Sequence, residues 1–447
     1  MTVRPRPNLP PPAIRATASP SSSIGRRVGG LTVANAAVAG FGFLGSGLLL
    51  PSALDPSAFA AASLFLAAFQ CLQEGMGRSL NWALLRLHPT AVRERNGGDR
   101  VLAAAWSLQK RLLATGLAVS LLLAIPAHWL LDHDGETSRA LVLALASVAA
   151  AFAVLIHFEL AVLQLRERFL ALGLWLCANS VARLLAWTLL WAGGLLSLAT
   201  AIAAHIVTTA AIAVVVRHRN GPLPPPAADG DLPGERARLL RFGGRMIAAA
   251  ALGAIAAQID LFVLDALADD IATGRLRIAV LFATALELAT SATITALLPQ
   301  AGRAANAEER RAMLRRSAAC GLAIAGLAVL SLPVVAYALP RLLPQYASAA
   351  DLYPIVVIGV VLTALTDPLG LSFVSHDRPG RFVWLNALLL AVVVSGNLVV
   401  PGEDRAEVAA WVRTAGRAVL AVCIVALVLR DRRIARSHSR PANEGAP

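Results

Sequence analysis

Charged residues are scarce in this sequence of 447 residues. Only 15% are Asp, Glu, Lys or Arg, whereas 57% are hydrophobic and the mean hydropathy is +0.66. A water-soluble protein of this length needs more polar surface than that, because its exterior must meet water. The composition therefore excludes an ordinary soluble enzyme and indicates a membrane protein.

Cysteines and chemical motifs are also few. The four cysteines lie far apart in or beside apolar runs, at Cys71, Cys177, Cys320 and Cys423. Without CxxC spacing they predict neither a disulfide framework nor a metal site. The sequence also lacks a Walker motif, a glycine-rich dinucleotide turn and metal-spaced histidines. We therefore predict no cofactor, no bound metal and no ATP hydrolysis.

Apolar runs of about 20 residues recur along the chain, the length that a helix needs to cross about 30 Å of hydrocarbon. They lack the alternating pattern of a barrel strand, and backbone groups inside lipid must hydrogen-bond within the chain. We predict an all-α polytopic membrane protein. About twelve transmembrane helices are expected near 28–50, 57–85, 105–131, 138–165, 169–192, 195–216, 241–266, 272–299, 317–340, 348–375, 381–400 and 407–430.

Charge alternates from one connection between the spans to the next. Arginines crowd one set of connections, and the other set is short or acidic, with Asp55, Asp269, Asp270, Asp351 and Asp404. Because loops rich in Lys and Arg stay in the cytoplasm, this pattern predicts a multi-pass protein of the cell membrane with both termini cytoplasmic. The net charge of +13 is spread among the connections, which argues against a nucleic-acid partner.

The chain is predicted to divide into two halves of six spans each. Residues 217–240 are Pro-rich and polar and are expected to form a cytoplasmic linker. The other predicted units are a disordered cytoplasmic tail (1–25), an N-terminal six-helix lobe (26–216), a C-terminal six-helix lobe (241–430) and a basic cytoplasmic tail (431–447). Six spans return the chain to its starting side, so the lobes would form a parallel, pseudo-symmetric repeat.

Polar residues inside the spans fall on stripes. In the second span they are Gln70, Gln73, Glu74, Arg78 and Asn81, and in the eighth Thr284, Glu287, Ser291 and Thr295. In the seventh they are Arg245, Gln258 and Asp260, and in the fifth Asn179 and Arg183. Since the other faces must meet lipid, such stripes predict contact with protein or with a water-filled cavity.

Several of these charges also have a structural interpretation. Glu74 and Arg78 are four residues apart and could neutralise each other. Arg183 could pair with Glu159 of the preceding span. Arg245 lies near the cytoplasmic end of its span and could reach lipid phosphates.

Further polar residues leave two interpretations open. Asp367 precedes a proline, which favours a role in capping a broken helix. Arg413 and Arg417, one turn apart in the last span, fit anchoring at the membrane interface as well as a functional role. His157 and His205 are isolated on apolar helices, which favours core positions.

Three segments resemble the Wzx-type polysaccharide flippases, relatives of the lipid II flippases and the multidrug-and-toxin exporters. Residues 258–303 resemble the seventh and eighth helices of that family, and residues 339–359 and 386–410 resemble two later junctions. Matching positions are Asp260, Asp269, Asp270, Gly274, Pro299, Asn386, Asn397, Pro401 and Gly402, whereas Leu276 replaces an aromatic residue. The resemblance spans roughly residues 24–430.

The resemblance implies two six-helix lobes forming a V around a central cavity that opens alternately to each side, with no enzymatic activity. The implied substrates are oligosaccharides joined through pyrophosphate to an isoprenoid lipid, with glycan polymerases and glycosyltransferases as candidate partners. The candidate substrate-binding residues are Arg78, Arg183, Arg245, Asn179, Gln70 and Gln73, because guanidinium groups bind pyrophosphate in bidentate fashion. The candidate ion-coupling or cavity residues are Glu74, Asp260, Glu287 and Gln258, with H⁺ or Na⁺ as the coupling ion.

Rival functions follow from the same composition. A multidrug-type, ion-coupled exporter of the same superfamily would favour a cavity dominated by carboxylates. A membrane glycosyltransferase or polymerase would need a catalytic acidic pair and usually a large outer loop, and neither is evident. A transport-inactive scaffold that recruits glycan enzymes would not need charges in a cavity.

Overall fold

The computed structural model describes residues 33–93, 98–131, 139–221, 232–303, 307–375, 380–399 and 404–438, and throughout them its regular structure is helical. The prediction of an all-α protein is therefore confirmed. The predicted tail 1–25 and residues 222–231 of the predicted linker lie outside the described residues. The helices are α1 (Val33–Ala53), α2 (Pro56–Gly75), α3 (Leu80–Arg93), α4 (Gly98–Leu131), α5 (Arg139–Leu165), α6 (Phe169–Ala192), α7 (Leu198–Asn220), α8 (Leu232–Leu267), α9 (Asp270–Arg303), α10 (Ala307–Leu342), α11 (Ala349–Ser375), α12 (Gly380–Val399) and α13 (Arg405–His438).

These helices make about twelve membrane spans, as predicted. Helices α2 and α3 together form a single span, and within the described residues ten spans are long and apolar enough to cross a bilayer. The helices also extend beyond the predicted spans. Helix α8 begins at Leu232, within the predicted linker, and α13 continues to His438. Leu239 explains the early start of α8, because it is fully buried against α3 and α4.

The two membrane faces differ in charge. The connections α1–α2, α8–α9 and α12–α13 meet one face, here called the acidic face, with Asp55, Asp269 and Asp404. The opposite face, called the arginine-rich face, receives the α5–α6 connection with Arg166 and Arg168. Depth in the membrane can be counted from these faces, because a helix rises about 1.5 Å per residue.

Polar contacts join the two halves of the chain at the acidic face. Arg139, at the start of α5, forms an ion pair with Asp265 near the end of α8, and their Nε and Oδ2 atoms are 3.0 Å apart. The side-chain amide of Gln345, after α10, donates a hydrogen bond to the carbonyl oxygen of Pro51 in α1. Both contacts cross between residues 33–220 and residues 232–438.

Apolar contacts close the same end. The ring centroids of Phe59 and Tyr346 are 5.4 Å apart, and those of Phe43 and Phe282 are 4.7 Å apart. One buried cluster includes members from both halves, among them Leu50, Leu54, Leu261, Leu276 and Leu339. These contacts and the two polar contacts are called the acidic-face seal below. The halves are thus packed together at the acidic face.

The second span is broken rather than continuous. Helix α2 ends at Gly75, and α3 begins at Leu80 after a turn in which Gly77 has a φ of +94°. This left-handed conformation suits glycine, which has no Cβ. The side-chain amide of Gln109 on α4 donates to the carbonyl oxygen of Met76 over 2.9 Å. A backbone group freed by the break is therefore satisfied inside the protein, as lipid surroundings require.

Candidate functional site

Asp260 of α8 pairs with Arg413 of α13. Arg413 Nη1 lies 2.6 Å from Asp260 Oδ2 and also donates to the carbonyl oxygen of Ala257 over 2.7 Å. The side chain of Asp260 is 0% exposed, and that of Arg413 is 5% exposed. Both lie about 10–13 Å below the acidic face, counted along their helices. A fully desolvated carboxylate thus has its counter-ion on a helix more than 150 residues away in sequence.

A chain of side-chain hydrogen bonds links this region to the N-terminal half. The amide nitrogen of Gln258 donates to Gln70 Oε1 on α2 over 2.6 Å. Arg277 of α9 donates to Gln258 Oε1 over 3.3 Å and is itself 3% exposed. The thiol of Cys71, next to Gln70, reaches the carbonyl oxygen of Ala254 over 3.4 Å. The predicted residues Gln70 and Gln258 therefore meet directly across the two halves.

Glu287 of α9 binds a second arginine of the last span. Arg417 Nη2 donates to Glu287 Oε1. Asp367 of α11 interacts electrostatically with both residues. Asp367, Glu287 and Asp260 supply three negative charges, and Arg277, Arg413 and Arg417 supply three positive ones. The polar interior of the C-terminal half, as far as it is described, is therefore balanced in charge.

Glu74 and Arg78 lie at the break in the second span. Their side chains form an ion pair of 3.1 Å, and the hydroxyl of Ser79 also donates to Glu74. Arg78 keeps 40% exposure of its side chain, whereas Glu74 keeps 17%. Gln73 is buried in the last turn of α2. The mutual neutralisation considered for Glu74 and Arg78 is thus present, and the guanidinium remains partly accessible.

Arg183 of α6 differs from the other membrane-embedded arginines. Glu159 was one alternative considered as its structural partner, but Arg217 Nη1 binds that carboxylate at 2.7 Å and Asn220 Nδ2 binds it at 2.9 Å. Arg183 instead lies over the ring of Trp187, with Cζ 5.5 Å from the centroid. Among the described residues it has no carboxylate partner, so its charge is uncompensated.

Unpaired polar atoms surround Arg183. One turn before it on α6, Asn179 Oδ1 is buried without a hydrogen-bond partner. On α7, both ring nitrogens of the fully buried His205 also lack partners. The expectation that His205 occupies the core holds for its burial, but its polar atoms are not satisfied. Arg183, Asn179 and His205 are called the α6–α7 cluster below.

Arg245 lies apart from these groups. It is exposed on α8 and forms no ion pair with any residue that the structure describes. The structure pairs Asp260 with Arg413 instead, although Arg245 and Asp260 share one stripe of α8 in the sequence. An exposed guanidinium near the arginine-rich face suits contact with phosphate groups, from lipid or substrate.

The sequence reasoning missed Arg277 and left the role of Arg413 and Arg417 open. A signal for Arg277 was available, because it is a charged residue inside the predicted span 272–299. In the described part of the chain, no cluster of His, Cys, Asp and Glu is arranged to hold a metal ion. The four cysteines are free.

Comparison with known proteins identifies the fold. No family model and no curated protein matches the sequence. Among solved structures, a MATE transporter of Vibrio cholerae superposes with a TM-score of 0.69 at 15% identity, covering 92% of this chain and 98% of that chain. Another MATE transporter, solved as a complex, gives 0.68 at 17% identity, with 94% and 98% covered.

A flippase shares the same fold. The lipid II flippase MurJ, in an inward-closed conformation, superposes with a TM-score of 0.66 at 10% identity, covering 91% of this chain and 87% of that chain. The similarity extends over nearly the whole length in each case. This chain is therefore a multi-pass membrane protein with the fold shared by MATE transporters and the MurJ flippase.

Proposed function

We propose that this protein is an alternating-access transporter that moves an oligosaccharide linked to isoprenoid pyrophosphate across the cytoplasmic membrane, for the synthesis of cell-surface polysaccharide. The uncompensated charge of Arg183 is the observation that carries this proposal. Pyrophosphate is a strong bidentate acceptor for guanidinium, whereas a cationic drug would be repelled by it. The carboxylates Asp260 and Glu287, which a cation would seek, are already bound to arginines.

The substrate-binding residues in this proposal lie on several helices. Arg183 and Asn179 would hold the headgroup, because within the described part of the chain Arg183 has no carboxylate partner and Asn179 Oδ1 is buried without a hydrogen-bond partner. Gln70 and Gln73 of α2 would contact the headgroup or the sugar, as would Arg78 in the turn after that helix. Exposed Arg245 would attract the phosphates near the arginine-rich face. Proton-binding or Na⁺-binding by Glu74, Asp260 or Glu287 would require the arginine of each pair to move aside.

The acidic-face seal supports alternating access. In the proposed orientation both termini are cytoplasmic, so this seal closes the outer side. Opening that side would have to break the ion pair of Arg139 with Asp265 and separate Phe59 from Tyr346. Gln70 and Gln258 would part in the same movement. Contacts that can form or break as a set suit a protein with two discrete arrangements.

Reconstitution in lipid vesicles tests the proposal. We expect the wild-type protein to increase the rate at which a fluorescent sugar attached to isoprenoid pyrophosphate crosses the bilayer. Arg183→Gln should lower that rate by about tenfold or more, since hydrogen bonds to charged groups are worth about 1.5–3 kcal/mol. Arg430→Gln is a matched control, because Arg430 is exposed on α13. Normal transport by Arg183→Gln would overturn the role of Arg183.

An exporter of cationic drugs is the second candidate, favoured by the likeness to MATE transporters. The same vesicles decide between the two functions. Gradient-driven uptake of a cationic dye, without movement of the lipid-linked sugar, would favour the exporter and overturn the flippase proposal.

A further inference from the structure

His205 is a buried titratable side chain that the proposed function does not use. It is 0% exposed, and neither Nδ1 nor Nε2 has a hydrogen-bond partner among the residues that the structure describes. Thr209 Oγ1 donates to its backbone carbonyl oxygen over 2.7 Å, so the backbone at this turn of α7 is also engaged. Leaving two polar atoms unpaired is costly, and an apolar side chain would fill this position without that cost. The position of His205 therefore calls for an explanation other than packing.

Three aromatic rings form a cage around the imidazole. Its centroid lies 4.8 Å from that of Phe69, 5.2 Å from that of Phe65 and 6.1 Å from that of Trp187. The Phe65 and Phe69 rings meet it in T-shaped arrangements, at 82° and 74°. Aromatic faces attract cations at about 6 Å or less from the ring centroid. Phe65 and Phe69 lie within this distance of the imidazole, and Trp187 lies just beyond it.

A neighbouring positive charge opposes protonation of this imidazole. Arg183 Cζ lies 5.5 Å from the centroid of the Trp187 ring, which also belongs to the cage. The acidic groups of the other helices packed against α7 are engaged elsewhere. Of the helices packed against α7, α2 carries Glu74, bound to Arg78, and α5 carries Glu159, bound to Arg217. A positive charge on Arg183 therefore disfavours a second cation in the cage, and an anion bound to Arg183 removes that repulsion.

We propose that His205 is a proton-binding site that fills when an anionic headgroup binds Arg183. The inference rests on the proposed function, and it names the proton as an ion that moves with the substrate. The anion neutralises the charge of Arg183, and the aromatic cage then holds the imidazolium. The proton comes from water and returns to water when the anion leaves. Because such coupling is reciprocal, a lower pH must tighten binding of the anion.

Binding of geranyl pyrophosphate to the purified protein between pH 6.0 and 7.5 tests the inference. One linked proton gives at most about a tenfold gain in affinity per unit fall in pH. We expect wild type to show a gain that His205→Gln and His205→Phe lose. His218→Gln is the matched control, because His218 lies exposed at the end of the same helix, α7, and should keep the gain. Titration of the ligand itself is common to all variants and cancels in the comparison.

The outcomes separate this inference from the proposed function. A pH dependence that persists unchanged in both His205 variants overturns the proton site and leaves the flippase proposal intact. Absence of geranyl pyrophosphate binding, together with absence of lipid-linked sugar transport, overturns the function and the inference with it. If neither variant folds, calorimetry on the wild type in two buffers of different ionisation enthalpy counts the protons taken up. An uptake no greater than that of the ligand alone refutes the proposal.

Discussion

The carboxylate of Asp260 and the guanidinium of Arg413 form a buried ion pair, 2.6 Å apart. The pair joins α8 and α13, the first and last helices of the C-terminal half. Arg413→Met would leave Asp260 charged and unpaired in a desolvated site, which costs about 3–5 kcal/mol. We expect a clear fall in the thermal unfolding temperature in detergent. The double variant Asp260→Leu with Arg413→Met should recover most of the loss, because replacing both partners by apolar groups removes the unpaired charge.

The exposed Arg430 of the same helix again supplies the control. Arg430→Gln should unfold at the wild-type temperature. Equal stability of Arg413→Met and wild type would mean that the pair does not stabilise the fold.

The backbone conformation of Gly77 leads to a second prediction about stability. Its φ of +94° is strained for other residues, and an added Cβ would lie 2.8 Å from Leu112 Cδ1 and 3.2 Å from Gln109 Nε2. Gly77→Ala should therefore destabilise the protein by about 1–3 kcal/mol. Gly75→Ala is the control, since an added Cβ there meets nothing within 4 Å. The measurement is the thermal unfolding temperature of the two variants. Equal unfolding temperatures would contradict the left-handed turn at Gly77.

The acidic-face seal predicts a change in accessibility. Asp265→Asn removes the ion pair with Arg139, and a partly exposed pair of this kind is worth about 0.5–1 kcal/mol. The population open at the acidic face should rise by about two- to fivefold. Labelling of Cys71 by a membrane-impermeant maleimide, applied to intact cells that express the protein, measures this change.

The labelling is done with the other three cysteines replaced by serine. Arg341→Gln is the control, because Arg341 lies at the same face but rests on the Tyr337 ring. Unchanged labelling of Cys71 in Asp265→Asn would show that this ion pair does not hold the acidic face closed.

Asp55 predicts a dependence of stability on pH. It lies between α1 and α2, and its carboxylate accepts a hydrogen bond from the backbone of Ala58 over 2.9 Å, which holds the pKa of Asp55 below its usual 3.8. A carboxyl group with a lowered pKa stabilises the fold above the unfolded value, and the stabilisation is lost as the pH falls below it. Asp55→Ala should cost about 1 kcal/mol at pH 7.

The difference between Asp55→Ala and wild type should narrow below about pH 4. Unfolding by denaturant at pH 7 and at pH 3.5 provides the measurement. A difference that stays constant between the two pH values would show that the charge of the cap does not contribute.

Much of the fold could be predicted because its cause is local. The apolar runs set the number and position of the spans, and helices are the structures that satisfy their backbones in lipid. The break at Gly77 escaped prediction, because the stripe of polar residues from Gln70 to Asn81 keeps helical spacing through it. The early start of α8 was not predicted either, since it depends on the packing of Leu239 against helices of the N-terminal half.

The site was harder to predict than the spans. The stripes of polar residues predicted that Asp260, Glu287 and Gln258 face protein or a cavity. A stripe does not reveal which residue of another helix lies opposite. Arg413 is 153 positions from Asp260, and their encounter depends on the packing of α8 against α13. Likewise, the sequence offered Glu159 as a partner for Arg183, but Glu159 lies closer to the arginine-rich face and binds Arg217.

The balance of charge in the C-terminal half has a consequence for the membrane potential. A rigid movement of Asp260, Glu287, Asp367 and their three arginines carries no net charge through the electric field, so voltage does no work on it. Arg183 is different, because a full unit charge moved across 100 mV changes the energy by about 2.3 kcal/mol. Movement of Arg183 in the empty protein should therefore depend on voltage, and a bound pyrophosphate should reverse the sign of that dependence.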